Sequence, residues 1–161
     1  MARLIERELS YQIVSGMYEV HGDLGFGFVE PIYSRCLDKV LRRKGLHVER
    51  ELRMPVMFQG EQVGVQRVDM LVNGRVIVEI KSTERLADAA FRQLRSYLTG
   101  MSIDLGLILH FGPSARFYRV LRGYPTRTAR RHPSGISGNS GNPGNSVAPV
   151  ALGPTPAPPM A

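Results

Sequence analysis

Residues 68–81, VDMLVNGRVIVEIK, carry the structural pattern around which the rest of the chain can be organised. They predict two short strands on either side of Asn73-Gly74, because β-branched residues are frequent and Asn-Gly is a turn dipeptide. The charged residues lie at odd positions, so a period of two predicts one buried face and one face that carries charge. The even positions of the two strands are all apolar: Val68, Met70, Val72, Val76, Val78 and Ile80.

The length of the turn decides whether the two apolar rows coincide. A two-residue turn would pair Val72 with Arg75 and send half of the apolar residues to the wrong side of the sheet. A loop with an odd number of residues, in which Gly74 is left-handed, pairs odd positions with odd positions. We therefore predict the odd loop, which brings Asp69 beside or diagonal to Glu79.

The charged face has two interpretations. Asp69 and Glu79 at the ends of neighbouring strands would form an oxygen-ligand site of the kind that Mg²⁺ prefers, and such an ion polarises a phosphoryl oxygen. The ammonium of Lys81, two residues after Glu79, would stabilise the charge of an attacked phosphate or orient the water. Alternatively, the face is solvated and the Glu79–Lys81 ion pair has little consequence. These three residues alone favour the second interpretation, because short patterns recur by accident.

The chain of 161 residues has room for one domain, and its C-terminal part differs from the rest in composition. Residues 123–161 contain no Asp or Glu and are rich in Gly, Pro, Ser and Asn. We expect a folded domain over residues 1–122 and a disordered tail over residues 123–161. The formal net charge of +7 fits a polyanionic partner. Residues 126–131, TRTARR, form either a solvated basic linker or an accessory contact to nucleic-acid phosphates.

Cysteine content and hydropathy bear on the compartment. Cys36 is the only cysteine, so an intramolecular disulfide or a thiolate metal cluster is excluded, and its apolar helical context predicts a small buried residue. No apolar run approaches the length of a membrane span, and the N-terminus is too charged for a secretory signal. We therefore expect a cytoplasmic protein that does not bind membranes.

The order of the predicted elements is helix, helix, three strands, helix, strand, strand. Pro55 predicts a strand start or an edge position, and the last strand is also expected at an edge of the sheet. Asp88 and Gly100 are expected to begin and close the last helix as caps. This order predicts an α/β fold in which helices cover a mixed sheet. Outside the central pair, the helices are predicted over residues 3–21, 31–44 and 88–98, and the strands over residues 46–58, 105–111 and 116–121.

Further polar residues each have a structural and a functional interpretation. Glu30 precedes Pro31 at a helix start, where the helix dipole stabilises a carboxylate, or it is an acid held at the mouth of a site. Gln93 and Tyr97 are neighbours on one helical flank, and such residues are more often solvated and buried, respectively. His110, in an apolar run, is expected to be a hydrogen-bonded core residue.

Several motifs then occur in a fixed order. GFGFVEPIY, which contains Gly27-x-x-Glu30-x-x-Tyr33, is followed by RVDMLV, VIVEIKSTERL, QLRSYL and LGLILHFG. This order resembles the GxxExxY protein family, a branch of the PD-(D/E)xK nuclease superfamily, over residues 5–112. The resemblance implies a restriction-endonuclease-like core and a divalent-metal-dependent nuclease acting on the phosphodiester bonds of a nucleic acid, with DNA expected.

The resemblance also implies roles for individual residues. Lys81 would assist the attacking water, and Gln93 and Tyr97 match a Gln-x-x-x-Tyr pattern that orients the lysine or contacts the nucleic-acid strand. The ligands of Mg²⁺ or Mn²⁺ would be Glu30, Asp69, Glu79 and the backbone carbonyl of Ile80.

This sequence also departs from the pattern of the family. Ala90 stands where the family often has His, and His110 stands where Asn is common, but neither is a metal-ligand position. Glu49 resembles a recurrent acid, for which a charged strand residue is the expected role. The alternative function is a non-catalytic module that keeps the nuclease fold and binds nucleic acid or another partner.

Overall fold

The computed structural model of the chain describes residues 5–123. None of the helices in this range combines the length and the apolar character that crossing a membrane requires. Leu4, residues 126–131 and the predicted tail after Gly123 lie outside the described residues. The elements follow in the predicted order: α1 (Arg7–Leu24), α2 (Glu30–Arg43), β1 (Val48–Phe58), β2 (Glu61–Val72), β3 (Val76–Lys81), α3 (Asp88–Gly100), β4 (Leu105–Phe111) and β5 (Ala115–Leu121).

The strands form one mixed sheet in which the spatial order equals the chain order. β1, β2 and β3 are an antiparallel meander, β4 is parallel to β3, and β5 is antiparallel to β4. The parallel pair requires a crossover, which α3 supplies between β3 and β4. The predicted α/β architecture, with β1 and β5 at the edges and Pro55 in an edge strand, is confirmed.

Apolar side chains fill both faces of the sheet. β4 is buried at every position, as predicted for a strand that is covered on both sides. One cluster joins α1 and α2 to the sheet through Met70, Val72, Val76, Val78 and Ile80. The other joins α3 to the sheet through Leu71, Ile77, Ile108, Leu94, Tyr97 and Leu98.

The turn between β2 and β3 has the predicted odd length. Val72 pairs with Val76, so residues 73–75 form the loop, and the N–H of Arg75 donates a hydrogen bond of 3.0 Å to the carbonyl of Val72. Asn73 (φ 51°) and Gly74 (φ 65°) are both left-handed, a conformation that these two residue types tolerate best. The two apolar rows of the hairpin therefore coincide from Met70 onwards.

The alternation fails at one residue of the hairpin. Val68 packs in the cluster on the α3 side, although its even number predicts the other face. The register of β1 with β2 passes from Arg50 opposite Met70 to Leu52 opposite Val68, and Glu51 between them has φ 54°. This left-handed residue interrupts the regular pleat of the pair, so period two does not hold on both sides of it.

Three local predictions also need correction. Ala87 is the N-cap of α3 and Asp88 its first residue, so the predicted cap is one position too late. Gly100 is not left-handed and is the last residue of α3, which is followed by Met101 as the C-cap. Cys36 is half-buried against the α1–α2 side of the core rather than fully buried.

Gly106 provides a test of the packing between α3 and β4. A Cβ at this buried position would lie 2.7–2.8 Å from three side-chain carbons of Leu94. We expect Gly106→Ala to lower the free energy of unfolding by about 1–3 kcal/mol in urea, because the close-packed layer must shift. The double variant Gly106→Ala/Leu94→Ala would relieve this clash.

Gly64→Ala is the matched control. Gly64 also lies in a strand, but a Cβ there would contact nothing within 4 Å. Its substitution should leave the free energy of unfolding nearly unchanged. Equal effects of the two glycine substitutions would contradict the packing argument.

Candidate active site

β2 and β3 separate at the residues that carry the two central carboxylates. Their pairing extends to Met70 opposite Val78, and the next position in this register places Asp69 opposite Glu79. There the Oδ2 atom of Asp69 accepts a hydrogen bond of 2.8 Å from the backbone N–H of Ile80. A side-chain oxygen thus satisfies a backbone donor where the ladder ends. The predicted juxtaposition of the two acids is present.

A chain of hydrogen bonds connects Glu79 to α3. The Nζ atom of Lys81 donates to Oε1 of Glu79 at 2.6 Å and to Oε1 of Gln93 at 3.2 Å. The Nε2 atom of Gln93 donates to the hydroxyl of Tyr97 at 2.6 Å, and this hydroxyl donates to the carbonyl of Arg67 at 3.0 Å. Because the oxygen of the Gln93 amide accepts from Lys81 while its nitrogen donates to Tyr97, the amide has one favoured orientation. Gln93 thus gives the ammonium of Lys81 a second acceptor besides Glu79.

Glu79 is the most deeply buried acid of the group. Its side chain is only 3% exposed, and its Oε2 atom is buried without a hydrogen-bond partner in the described part of the chain. Burial, and after it the negative charge of Asp69, raise the pKa of Glu79 from 4.5 to about 7, even though the hydrogen bond from Lys81 opposes the rise. The fold therefore keeps a carboxylate where ionisation is costly and one oxygen is free to accept a ligand.

The pKa values of Asp69 and Lys81 are also shifted by burial and by the neighbouring carboxylates. Burial raises the pKa of Asp69, although the hydrogen bond from Ile80 lowers it. Desolvation lowers the pKa of Lys81, but the hydrogen bond and charge of Glu79, with the charges of Glu30 and Asp69, outweigh it and leave this pKa raised. Lys81 therefore remains an ammonium group at neutral pH.

Glu30 approaches the group from a different element. It is the first residue of α2, and its Oε1 atom accepts a hydrogen bond of 3.3 Å from the backbone N–H of Ser82. Its negative charge raises the pKa of both Asp69 and Glu79, which places it within electrostatic range of them. The residues that sequence reasoning singled out are thus brought together: Glu30, Asp69, Glu79, Ile80, Lys81, Gln93 and Tyr97.

Tyr33 of the Gly27-x-x-Glu30-x-x-Tyr33 motif has a structural role instead. Its ring is fully buried and stacks on Phe111 with a centroid distance of 4.4 Å. Its hydroxyl donates to the carbonyl of Gly25 at 2.6 Å and accepts from the N–H of Phe28 at 3.3 Å. Tyr33 therefore anchors the connection between α1 and α2, and it does not join the carboxylates.

Sequence reasoning did not predict that Ser82 contacts Glu30, or that His110 lies beside Lys81 on the neighbouring strand. Ser82 donates its N–H to Glu30 and its hydroxyl to the carbonyl of Phe28 at 2.6 Å. His110 is a buried hydrogen-bonded residue, as predicted, with Nε2 2.7 Å from the carbonyl of Thr83. The parallel register pairs it with Lys81, which only the strand order reveals. Ser82 had a usable signal, because it directly follows Lys81.

Ala90, which stands where the family often has His, and Glu49, which resembles a recurrent acid of the family, both lie outside the cluster of candidate site residues. Ala90 is buried in the α3-side cluster. Glu49 is exposed on β1, where it is 3.7 Å from His47, which agrees with the expectation of a charged strand residue.

The donor set suits a hard divalent cation, although the side chains do not close around one. Within residues 5–123, no three His, Cys, Asp or Glu side chains are arranged to hold a metal ion. Lys81 takes one oxygen of Glu79, and the N–H of Ser82 takes one of Glu30. The unpartnered Oε2 of Glu79 beside the carboxylate of Asp69 is nevertheless the kind of oxygen pair that Mg²⁺ binds. The residues present fit such an ion.

Comparisons with known proteins identify the family. A solved structure described as "Crystal structure of SSO0001" is 21% identical with a TM-score of 0.47, and the match covers 74% of this chain and 60% of that one. No curated protein matches the chain. Residues 7–120, which extend from α1 into β5, match the family model of the PD-(D/E)XK nuclease superfamily. The chain therefore belongs to the PD-(D/E)XK nuclease superfamily.

Proposed function

We propose that this protein is a divalent-metal-dependent nuclease of the GxxExxY branch and that it hydrolyses phosphodiester bonds in DNA. The observation that carries the proposal is the gathering of Asp69, Glu79 and Lys81 at one end of β3, with a buried oxygen of Glu79 free to accept a ligand. Membership of a nuclease superfamily implies a nucleic-acid substrate. The spacing of Gly27, Glu30 and Tyr33 supports the branch.

Asp69 and Glu79, with the backbone carbonyl of Ile80 and with Glu30, would hold Mg²⁺ or Mn²⁺. When bound, such an ion polarises a phosphoryl oxygen and lowers the pKa of a coordinated water. The raised pKa values of Asp69 and Glu79 support this assignment, because a cation would compensate the charge repulsion and desolvation that raise them. Ionised Glu79 is then the favoured form at neutral pH.

Lys81 would act on the attacked phosphate. As the water oxygen bonds to phosphorus and the bond to the leaving sugar oxygen breaks, negative charge accumulates on the phosphoryl oxygens, and the ammonium of Lys81 stabilises it or orients the water. The raised pKa of Lys81 supports a charged amine in this role. A general base would require the opposite shift of the pKa.

Gln93 and Tyr97 would position Lys81 without contacting the reacting atoms. The hydrogen bond from Lys81 to Gln93 keeps the ammonium near the carboxylates, and Tyr97 fixes the orientation of the amide. Tyr97 is itself anchored to the backbone of β2 through Arg67. The lysine side chain is flexible, so without such contacts it would populate several rotamers. Only a fraction of the molecules would then hold the ammonium in the reactive geometry.

The second candidate function is a non-catalytic binding module. Two observations favour it. No three His, Cys, Asp or Glu side chains among residues 5–123 are arranged to hold a metal ion, and Lys81 is 2.6 Å from the carboxylate that would bind the ion. In this case the Glu79–Lys81 pair is a buried ion pair that specifies the local structure.

A cleavage assay separates the two functions. We expect the wild type to cleave DNA with Mg²⁺ or Mn²⁺, in a panel of labelled single- and double-stranded DNA and RNA. Asp69→Asn and Lys81→Met should each lower the rate by about a hundredfold or more, because each removes a charge that acts on the transition state. Asp104→Asn is the matched control, since Asp104 is exposed and pairs with Arg122 at the opposite end of β4.

The same panel can contradict the nuclease proposal. If no substrate is cleaved with either ion, and nucleic-acid binding is unaffected by Asp69→Asn or Lys81→Met, the binding module is the better description. If the substrate is cleaved equally well by Asp69→Asn and the wild type, the assigned residues are wrong.

The pKa of Glu79 predicts a pH-dependent stability of the metal-free protein. Because the folded state binds this proton more tightly, the stabilisation is full below about pH 4.5 and is lost as the pH rises to about 7. In EDTA, the free energy of unfolding of the wild type should fall over this window by up to about 3 kcal/mol more than that of Glu79→Gln. Urea titrations at about pH 5 and about pH 7.5 measure this difference.

Added Mg²⁺ should stabilise the wild type at the higher pH and leave Glu79→Gln almost unchanged, because binding to the folded state adds to its stability. Glu61→Gln, at an exposed position of β2, is the matched control and should behave as the wild type does. Parallel pH profiles of the wild type and Glu79→Gln would refute the assigned environment of Glu79.

Positioning by Gln93 makes a separate prediction. Gln93→Leu removes one hydrogen bond from the ammonium of Lys81, so we expect kcat to fall by about tenfold with little change in KM. Gln62→Leu, at an exposed position of β2, is the control. A raised KM at unchanged kcat would indicate that Gln93 binds substrate and does not position Lys81.

A further inference from the structure

We propose that the ring of Phe28 stacks on an unpaired nucleobase next to the scissile phosphate, so that the substrate is single-stranded nucleic acid or a single-stranded segment of a larger one. This inference rests on the proposed nuclease function, because it assumes that the phosphate lies at Asp69, Glu79 and Lys81. It assigns a substrate class to that site.

The connection between α1 and α2 exposes an unusual amount of apolar surface. Phe26 is 40% exposed, Phe28 43% and Val29 64%. Single exposed apolar residues are ordinary, but here all four positions immediately before Glu30 are exposed, and three of them carry large apolar side chains. Such a patch beside a polar site is typical of a surface that binds a ligand with an apolar face.

Hydrogen bonds hold this exposed segment in place. The hydroxyl of Tyr33 bridges the carbonyl of Gly25 and the N–H of Phe28, and the carbonyl of Phe28 accepts a hydrogen bond from Ser82. Gly27 between the two aromatic residues has φ 122°, a conformation that favours glycine. The backbone of the segment is thus ordered before any ligand binds, which lowers the entropic cost of binding.

The ring of Phe28 is also held by a contact with a buried side chain. It packs edge-to-face on the buried ring of Tyr33, with a centroid distance of 6.2 Å and an interplanar angle of 81°. This contact leaves part of the Phe28 ring open to solvent. A ring that is fixed on one side and open on another suits the stacking of a planar group.

Two hydrogen bonds connect Phe28 to the carboxylate group. Ser82, which directly follows Lys81, donates its hydroxyl to Phe28 and its N–H to Glu30. A phosphate bound by Lys81 therefore lies close in the structure to the segment that carries the exposed rings.

The chemistry of stacking selects the strand type. In a duplex the faces of the bases are covered by their neighbours, and a protein reaches only base edges and phosphates. An unpaired base offers its face to an aromatic ring, and such a contact contributes about 1–3 kcal/mol for any of the bases. Phe28 would thus favour single strands without reading a sequence, and the net charge of +7 fits the accompanying phosphates.

Binding measurements test this inference without requiring cleavage. The full-length protein is titrated, with Ca²⁺ in place of Mg²⁺, into a labelled single-stranded DNA oligonucleotide and into its blunt duplex, and fluorescence anisotropy is recorded. We expect Phe28→Ala to weaken single-strand binding by about tenfold and to change duplex binding by less than about twofold. Phe58→Ala is the matched control, because Phe58 is an exposed phenylalanine at the far end of β1.

A tryptophan at the same position gives a direct readout of stacking. The chain contains no tryptophan, so Phe28→Trp introduces a single indole next to the site. Its fluorescence should be quenched by the single strand and not by the duplex, and this variant should restore the affinity that Phe28→Leu loses. Phe58→Trp should show no quenching.

The results separate the inference from the proposed function. If the wild type cleaves DNA but Phe28→Ala lowers the affinity for single strands and for duplexes equally, the stacking proposal is refuted and the nuclease proposal stands. If no cleavage occurs but single strands quench Phe28→Trp, hydrolysis is refuted and the stacking surface is supported. If the wild type is a dimer in sedimentation and Phe28→Ala a monomer, a second copy of the chain covers the patch and the stacking proposal is overturned.

Discussion

The hydrogen bond from the N–H of Ile80 to the carboxylate of Asp69 is the interaction on which the candidate site depends. It forms where β2 leaves β3, and it replaces a backbone acceptor by a side-chain acceptor. Because Asp69 is held at this point, its charge acts on Glu79 of the neighbouring strand. The end of a strand ladder thereby becomes a place where two acids share a poorly solvated region, which is the condition for binding a cation.

The burial of Glu79 would be destabilising if it were uncompensated. The structure compensates it with Lys81, whose ammonium is itself connected through Gln93 and Tyr97 to the backbone of β2. The cost of a buried charge falls when the charge is paired and hydrogen-bonded, and it falls further when a cation binds. Stability and the proposed chemistry are therefore coupled through the same carboxylate.

A second set of contacts joins α2, the connection before it and β4 to the residues that follow β3. Ser82 binds the carboxylate of Glu30 and the carbonyl of Phe28, while His110 binds the carbonyl of Thr83. Any movement of the residues after Lys81 would thus be transmitted to the exposed aromatic segment before α2. The candidate site and the exposed aromatic segment are thus connected although they come from segments that are distant in the sequence.

The sequence by itself determined the order of the elements, the odd loop after Val72 and the apolar rows of β2 and β3, because these follow from local periodicity and turn chemistry. It also placed Asp69, Glu79 and Lys81 on neighbouring strands. Only the tertiary structure decided that Val68 changes sides, that Tyr33 anchors a loop, and that His110 lies beside Lys81. These facts depend on strand pairing and on contacts between distant segments, which no local pattern specifies.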